Sequence, residues 1–555
     1  MACPARPASV AYFTMEVALD DALPTFSGGL GVLAGDYLPS CADLGLPVVA
    51  LTLLYKEGYF DQRLDELGCQ TESPVRWSPA DRLTQVSARA VIEMDGRPVT
   101  VGAWRLEIEG ATGHVVEVYF LDTDLEENDS AARAVTDRLY GGDDRHRLRQ
   151  EAVLGLGGMA MLRALGLEPE TLHMNEGHSA LLVLDLAGGE RRAGAAPRGV
   201  FTTHTPVPAG HDRFDRAVVE EILGPERTAA IDELGLLCSG ELNMTELGIA
   251  GSQFVNAVSR RHRDVTREMF PGAEISSVTN GVHAATWVGP SMAKVLDRHL
   301  DGWRLDNAVL RYANLVPSEE IAAAHAEAKQ RLLGEVADRT GRILDREVLT
   351  IGLARRATPY KQTALLFSDL ERLTAMAGSI GPVQVLVSGK AHPRDADGKR
   401  LITEVVEASR KLSGSVEVVV LEQYGLRLAA LLVAGSDVWL NTPLKPNEAS
   451  GTSGMKAALN GVPSLSTLDG WWIEGCLDGV TGWSVGGLEP GDDAADLYRA
   501  LESVVLPLYY GDPDRLVEIR RFAIALNGSF FTTERMAREY ARLAYGLPVA
   551  RALPG

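Results

Sequence analysis

Two series of short apolar, β-rich runs, interleaved with helix-forming sequence, limit this chain to an α/β architecture built on parallel sheets. The first series comprises Val48–Tyr55, Val115–Leu121 and Gly199–Thr205; the second comprises Val348–Leu353, Val383–Val387, Val416–Leu421 and Asp437–Leu440. Such runs suit strands buried on both faces, and the intervening helices make their connections crossovers. Between the series, from about Trp287 to Asp345, the sequence reads mainly as helical, with Glu319–Thr340 rich in Ala, Glu, Leu and Arg. A chain of 555 residues is several times the usual single-domain length. We therefore expect two doubly wound domains, divided near the start of that helical region and facing a central cleft at the carboxyl ends of their strands. A small antiparallel elaboration is expected over Leu83–Asp122, with turns at Asp95-Gly96 and Gly110.

A net charge of −21 and the lack of a basic stripe argue against a nucleic-acid partner. No apolar run reaches the roughly 20 residues of a membrane helix, and no leader-like segment is seen near the N-terminus, so a cytoplasmic protein with no membrane partner is expected. Five widely spaced cysteines (Cys3, Cys41, Cys69, Cys238, Cys476) without a C-x-x-C fit reduced thiols, with no disulfide or metal framework.

Three motifs could carry chemistry. Ser27-Gly28-Gly29-Leu30-Gly31 precedes a helical run to Leu44, where free N–H groups favour an anion; a tight turn packed on a sheet is the alternative. Glu448-Ala449-Ser450-Gly451-Thr452-Ser453-Gly454-Met455-Lys456 does not have nucleotide P-loop spacing. It reads as a phosphate cup one turn before a candidate Schiff-base lysine, or as an ordinary helix with a snorkelling lysine. Arg355-Arg356 and Tyr360-Lys361 follow a strand and suit a doubly charged phosphate beside a sugar, with a surface charge cluster as the alternative. His204 and Asn280 stand at two further strand ends, where polar residues often only cap turns.

In chain order, ten stretches resemble the alpha-glucan phosphorylase family. They are Ala11–Glu16, Ser27–Asp36, Tyr55–Gln62, Asn175–Ser179, His204–His211, Val278–His283, Arg355–Lys361, Gly389–Ala391, Glu448–Gly461 and Leu468–Gly470. Trp471 and Trp472 after Leu-Asp-Gly are similar to the short bacterial form. The resemblance implies a GT-B glycosyltransferase architecture of two Rossmann-like domains: 1–290 with the glycine loop, 291–530 with a pyridoxal-phosphate site, and 531–555 as a helix returning to the first domain, beginning within Ser529–Ala544. It implies reversible phosphorolysis of a terminal α-1,4-linked glucose of glycogen or maltodextrin to glucose 1-phosphate, with retention.

By the same resemblance Lys456 forms the Schiff base with pyridoxal 5'-phosphate, and Thr452, Ser453 and Arg355 hold its phosphate. Arg356, Lys361 and the Gly29 N–H bind the substrate phosphate, which shares protons with the cofactor phosphate. His204, Asn280, Tyr360, Glu448, Ser450 and Gly451 hydrogen-bond the glucosyl unit, and Trp287 helps to close that pocket. Homodimers are common in the family.

Two departures stand out. The N-terminal extension through which the long enzymes are phosphorylated and respond to AMP has no counterpart here, so allosteric control by those routes is expected to be absent. Gln362 replaces the arginine that commonly follows Tyr-Lys, which implies weaker phosphate binding. Two rivals share the architecture: a nucleotide-sugar glycosyltransferase, which also carries the Ser-Gly-Gly-Leu-Gly loop, and a catalytically idle glucan-binding scaffold.

Overall fold

The computed structural model describes residues 9–188, 197–412, 414 and 416–548; Cys3 and the end of the 531–555 segment lie outside them. The chain forms two units. The first combines the chain through Phe60 with Pro74–Val278 and the segment from Met536; the second takes Asp61–Ser73 and Thr279–Arg535.

The first unit is built on a nine-stranded sheet. From edge to edge its strands are Ile275–Ser277, Phe254–Ala257, Arg198–Thr202, Thr171–Asn175, Val10–Thr14, Val48–Leu53, Val115–Asp122, Arg97–Glu109 and Thr84–Met94. The strands from Ile275–Ser277 to Val115–Asp122 run parallel, and the last two add on antiparallel, which is the elaboration expected over Leu83–Asp122. Val10–Thr14 is buried throughout, as a central parallel strand covered on both faces must be. The strand order reverses beside it: Val48–Leu53 lies on one side and Thr171–Asn175 on the other. Side chains at the carboxyl ends of these two neighbours, Val10–Thr14 and Thr171–Asn175, therefore stand at the switch point where such sheets take ligands.

The second unit has a six-stranded, all-parallel sheet in the order Val416–Leu421, Val383–Ser388, Leu349–Ala354, Val438–Asn441, Ser464–Thr467 and Gly482–Val485. In chain order this is 3-2-1-4-5-6, the doubly wound arrangement. Its switch point lies between Leu349–Ala354 and Val438–Asn441. The helix Ser318–Thr340 has Glu319 and Glu320 in its first turn and Arg339 in its last, and ends on Gly341 in the left-handed region at φ 71°.

Two local expectations differ from the structure. The helix read over Ser529–Ala544 starts at Thr533, because the backbone before it is spent elsewhere: Val282 N donates to Phe531 O and Thr533 N to Val282 O. A hairpin over Asp61–Ser73 carries no apolar run and was not foreseen. Glutamine side chains hold it: Gln62 Nε2 donates to Gly389 O at 2.8 Å and Gln70 Nε2 to Ala391 O at 2.9 Å. Among the described residues no helix is long and apolar enough to cross a membrane.

Candidate active site

At the switch point of the second unit, the loop after Leu349–Ala354 carries Arg355, Arg356, Tyr360 and Lys361. Arg355 is buried and shapes this loop, its guanidinium donating to Lys361 O and to Leu440 O, both at 2.9 Å. Burial lowers its pKa to about 10, which leaves it charged at neutral pH. Only two of its five N–H groups are used in these bonds, so donors remain for an anion. Arg356, its neighbour, is exposed and makes no hydrogen bond or ion pair with the described residues.

Lys361 is mostly buried and pairs with Glu448, with its Nζ 4.9 Å from the centre of the Tyr360 ring. Burial works against its charge, but Glu448 and Tyr360 outweigh that and its pKa is raised. Glu448 is fixed in turn by Asp469, whose carboxylate accepts from Glu448 N at 2.8 Å and from Gly470 N at 2.9 Å. The chain between them is tightly packed: Trp471 N donates to Ser450 O, and a Cβ on Gly470 (φ 54°) would lie 2.4 Å from that oxygen. Gly451 also takes a left-handed backbone, at φ 77°. Ser450 Oγ and Asn280 Oδ1 are buried without a hydrogen-bond partner among the described residues, as expected of groups awaiting a ligand.

Lys456 lies on the short helix Ser453–Leu459, only 6% exposed, with its amine 3.7 Å from the centre of the Trp287 ring. Asn460 aligns the two segments: its amide donates to Lys456 O and Trp287 O, and its oxygen accepts from Gly289 N. Ser453 Oγ accepts from the Trp439 indole at 3.0 Å, so its own proton is left to donate. Thr452 precedes it as the helix N-cap residue.

In the first unit, the helix Gly29–Asp43 starts at the glycine loop without a side-chain cap. Glu16, just past Val10–Thr14, anchors the loop: its carboxylate accepts from Ser27 N at 2.5 Å, Gly28 N at 3.2 Å and the Tyr140 hydroxyl at 3.0 Å. The N–H groups before Gly29 are thereby used. His204 follows Arg198–Thr202, and its Nε2 lies 2.7 Å from Asn175 Oδ1. Burial, helped by His262, His173 and His178, lowers its pKa to about 3, so the ring is neutral. Its backbone N–H donates to Glu176 Oε2 at 2.7 Å. Burial raises the Glu176 pKa to about 7, and its backbone sits at φ 79°, a strained conformation for a glutamate.

The second unit thus brings together Arg355, Tyr360, Lys361, Glu448, Ser450 and Gly451 around one loop pair, and Lys456 with Trp287. Sequence reasoning gave no role to Glu16, Asn175, Glu176 or Asp469. Their position at or just past strand ends was the available signal.

The sequence model described as carbohydrate phosphorylase matches residues 211–477, and that of the starch synthase catalytic domain matches residues 10–280. The chain is 38% identical to the maltodextrin phosphorylase of Thermococcus litoralis, over 98% of this chain and 71% of that protein. It is 36% identical to a glycogen phosphorylase of Mycobacterium tuberculosis, over 98% of this chain and 71% of the relative. With the glycogen phosphorylase of Aquifex aeolicus it shares 33% identity over 97% of this chain and 86% of the relative.

Proposed function

The chain belongs to the carbohydrate phosphorylase family, and on that premise we propose that it is an α-glucan phosphorylase. It transfers the terminal α-1,4-linked glucosyl unit of glycogen or a maltodextrin to inorganic phosphate, releasing α-D-glucose 1-phosphate with retention. The bond from C1 to the glycosidic oxygen breaks, that oxygen takes a proton and leaves as the new end of the glucan, and a phosphate oxygen bonds C1. The observation that carries the reading is the buried Lys456 amine against Trp287, inside the matched segment 211–477.

The residues fit the family's cofactor, pyridoxal 5'-phosphate. A buried amine over an aromatic face suits the anchor, and a Ser453 hydroxyl with its proton to give, Thr452 and the remaining Arg355 donors suit the phosphate. When bound, the cofactor supplies a phosphate group that exchanges protons with the substrate phosphate. Lys361 and Arg356 hold the substrate phosphate, together with the Gly29 N–H of the first unit. Two phosphates in a site of low dielectric repel strongly, so paired cations are needed to bring them together. Glu448, Ser450, Gly451, Tyr360, Asn280 and His204 hydrogen-bond the sugar hydroxyls. The unpartnered Ser450 Oγ and Asn280 Oδ1 support two of these assignments.

The starch synthase match supports a shared first-unit scaffold. A nucleotide-sugar enzyme has no use for a buried lysine anchored as Lys456 is. The test is glucose 1-phosphate release from maltodextrin and inorganic phosphate, run beside Lys456→Ala. Product from the unaltered protein alone is expected; product from neither, with cofactor supplied and both proteins folded, overturns the reading.

A further inference from the structure

The imidazole of His204 is held at one nitrogen. Nε2 lies 2.7 Å from Asn175 Oδ1, and the ring makes no other hydrogen bond to the described residues. Its proton can be located by starting from a group whose role cannot be reversed. The backbone carbonyl of Glu16 can only accept, so the Thr14 hydroxyl donates to it at 2.9 Å. With that proton committed, Thr14 Oγ1 accepts from Asn175 Nδ2 at 3.1 Å. The amide is then oriented with Nδ2 toward Thr14 and Oδ1 toward His204. An amide oxygen accepts, so the imidazole donates from Nε2. Because desolvation keeps the half-buried ring neutral, it carries one proton only, and Nδ1 keeps its lone pair. Thr14 and Asn175 are themselves buried, so bulk water does not compete to reverse the chain.

We infer that Asn175, oriented by Thr14, is a positioning residue that fixes His204 as the Nε2–H tautomer and makes Nδ1 the acceptor for one hydroxyl of the terminal glucosyl unit. The tautomer stands on the hydrogen-bond chain and on the ring being neutral; its use toward sugar rests on the phosphorylase reading. Glu176, next in sequence to Asn175, holds the backbone N–H of His204, so consecutive residues fix the ring and the main chain of one histidine. An acceptor held in this way discriminates sharply, since a substrate lacking the matching hydroxyl leaves a buried lone pair unpaired.

The first test needs no variant of the chain arm. Long-range proton–nitrogen NMR of the full protein labelled with nitrogen-15 histidine, with His204 assigned by its absence in His204→Gln, is expected to show Nε2 protonated. A ring protonated at Nδ1 overturns the inference whatever the activity. The second test compares Thr14→Val with the unaltered protein in glucan elongation, using glucose 1-phosphate and its four monodeoxy analogues. Valine neither accepts nor donates, so the amide can turn over and the tautomer bias is lost. For glucose 1-phosphate we expect kcat/KM to fall about 10- to 100-fold, the size of one well-made hydrogen bond. For one deoxy analogue the fall should be much smaller, so discrimination against that analogue collapses. An equal fall for every substrate means a merely structural role and overturns the positioning claim. If the unaltered protein elongates nothing, the phosphorylase reading and the sugar contact fail, while the NMR result still decides the tautomer.

Discussion

Asn460 ties Lys456 to Trp287: one amide donates to the carbonyl of Lys456 at 2.9 Å and to that of Trp287 at 2.8 Å. The lysine amine and the indole face are therefore registered through their backbones as well as by contact. Asn460→Ala removes three hydrogen bonds, two of them buried and the third the part-buried one from Gly289 N, and should destabilise the protein by about 1–3 kcal/mol. It should also release cofactor faster than the unaltered protein, followed as loss of cofactor absorbance on dialysis. Retention equal to the unaltered protein would show that the registration does not matter to the anchor.

The Lys361–Glu448 pair makes a second, separable prediction. If Lys361 holds the substrate phosphate as proposed, Lys361→Ala should lower kcat/KM for phosphate by about 10²–10³-fold. It also leaves the Glu448 carboxylate buried without its partner, so some loss of stability is expected. Lys361→Ala combined with Glu448→Gln should regain that stability without regaining activity. Steady-state rates and thermal melts of the three proteins check this, and activity near that of the unaltered protein in Lys361→Ala would refute it.

Acid stability follows from buried neutral histidines. Burial lowers the pKa of His211, His262 and His325 to about 4, and of His173, His178 and His204 to about 3. Unfolded histidine titrates near 6.5. Between about pH 6.5 and the folded values the unfolded chain binds more protons, so stability is lost as pH falls through that window. Glu176, raised to about 7, has the opposite sign and favours the folded state as pH falls from about 7 toward the usual glutamate range. Burial also raises Glu151 and Asp137, which share that sign. The six histidines outnumber these three carboxyls, so the melting temperature should drop from about pH 6.5 to 4. A flat profile over that interval would mean that these rings are not buried neutral.

What could be read from the sequence follows the apolar signal. Val383–Ser388 and Val416–Leu421 announce themselves, whereas Ile275–Ser277 and Ser464–Thr467 are strands only because neighbours pair with them. The Asp61–Ser73 hairpin was invisible because amide side chains, which carry no periodicity, hold it to Gly389 and Ala391. In the site, cations and glycines stand out by type. The residues that orient them do not, since Asp469 reaches Glu448 across 21 positions and Asn175 reaches His204 across 29. Such bonds exist only once the strand ends are brought side by side.

The glycines of the first unit separate packing from chemistry. A Cβ on Gly35 would lie 1.9 Å from the Ala18 carbonyl oxygen, and one on Gly31 would lie 2.8 Å from Phe26 Cβ and 2.9 Å from the Glu16 carboxylate. At Gly29 a Cβ meets nothing within 4 Å. Packing therefore explains Gly31 and Gly35 but gives no reason for Gly29, whose open approach at the helix start suits the phosphate contact proposed for it. Gly35→Ala should forfeit several degrees of melting temperature or fail to fold. Gly29→Ala should melt at or slightly above the unaltered protein, because a methyl group meets nothing there and alanine is the better helix former. On the proposed reading its KM for phosphate should nevertheless rise severalfold, because a methyl group at Gly29 would crowd an anion at that N–H. Phosphate kinetics indistinguishable from the unaltered protein would remove Gly29 from the proposed phosphate-binding residues.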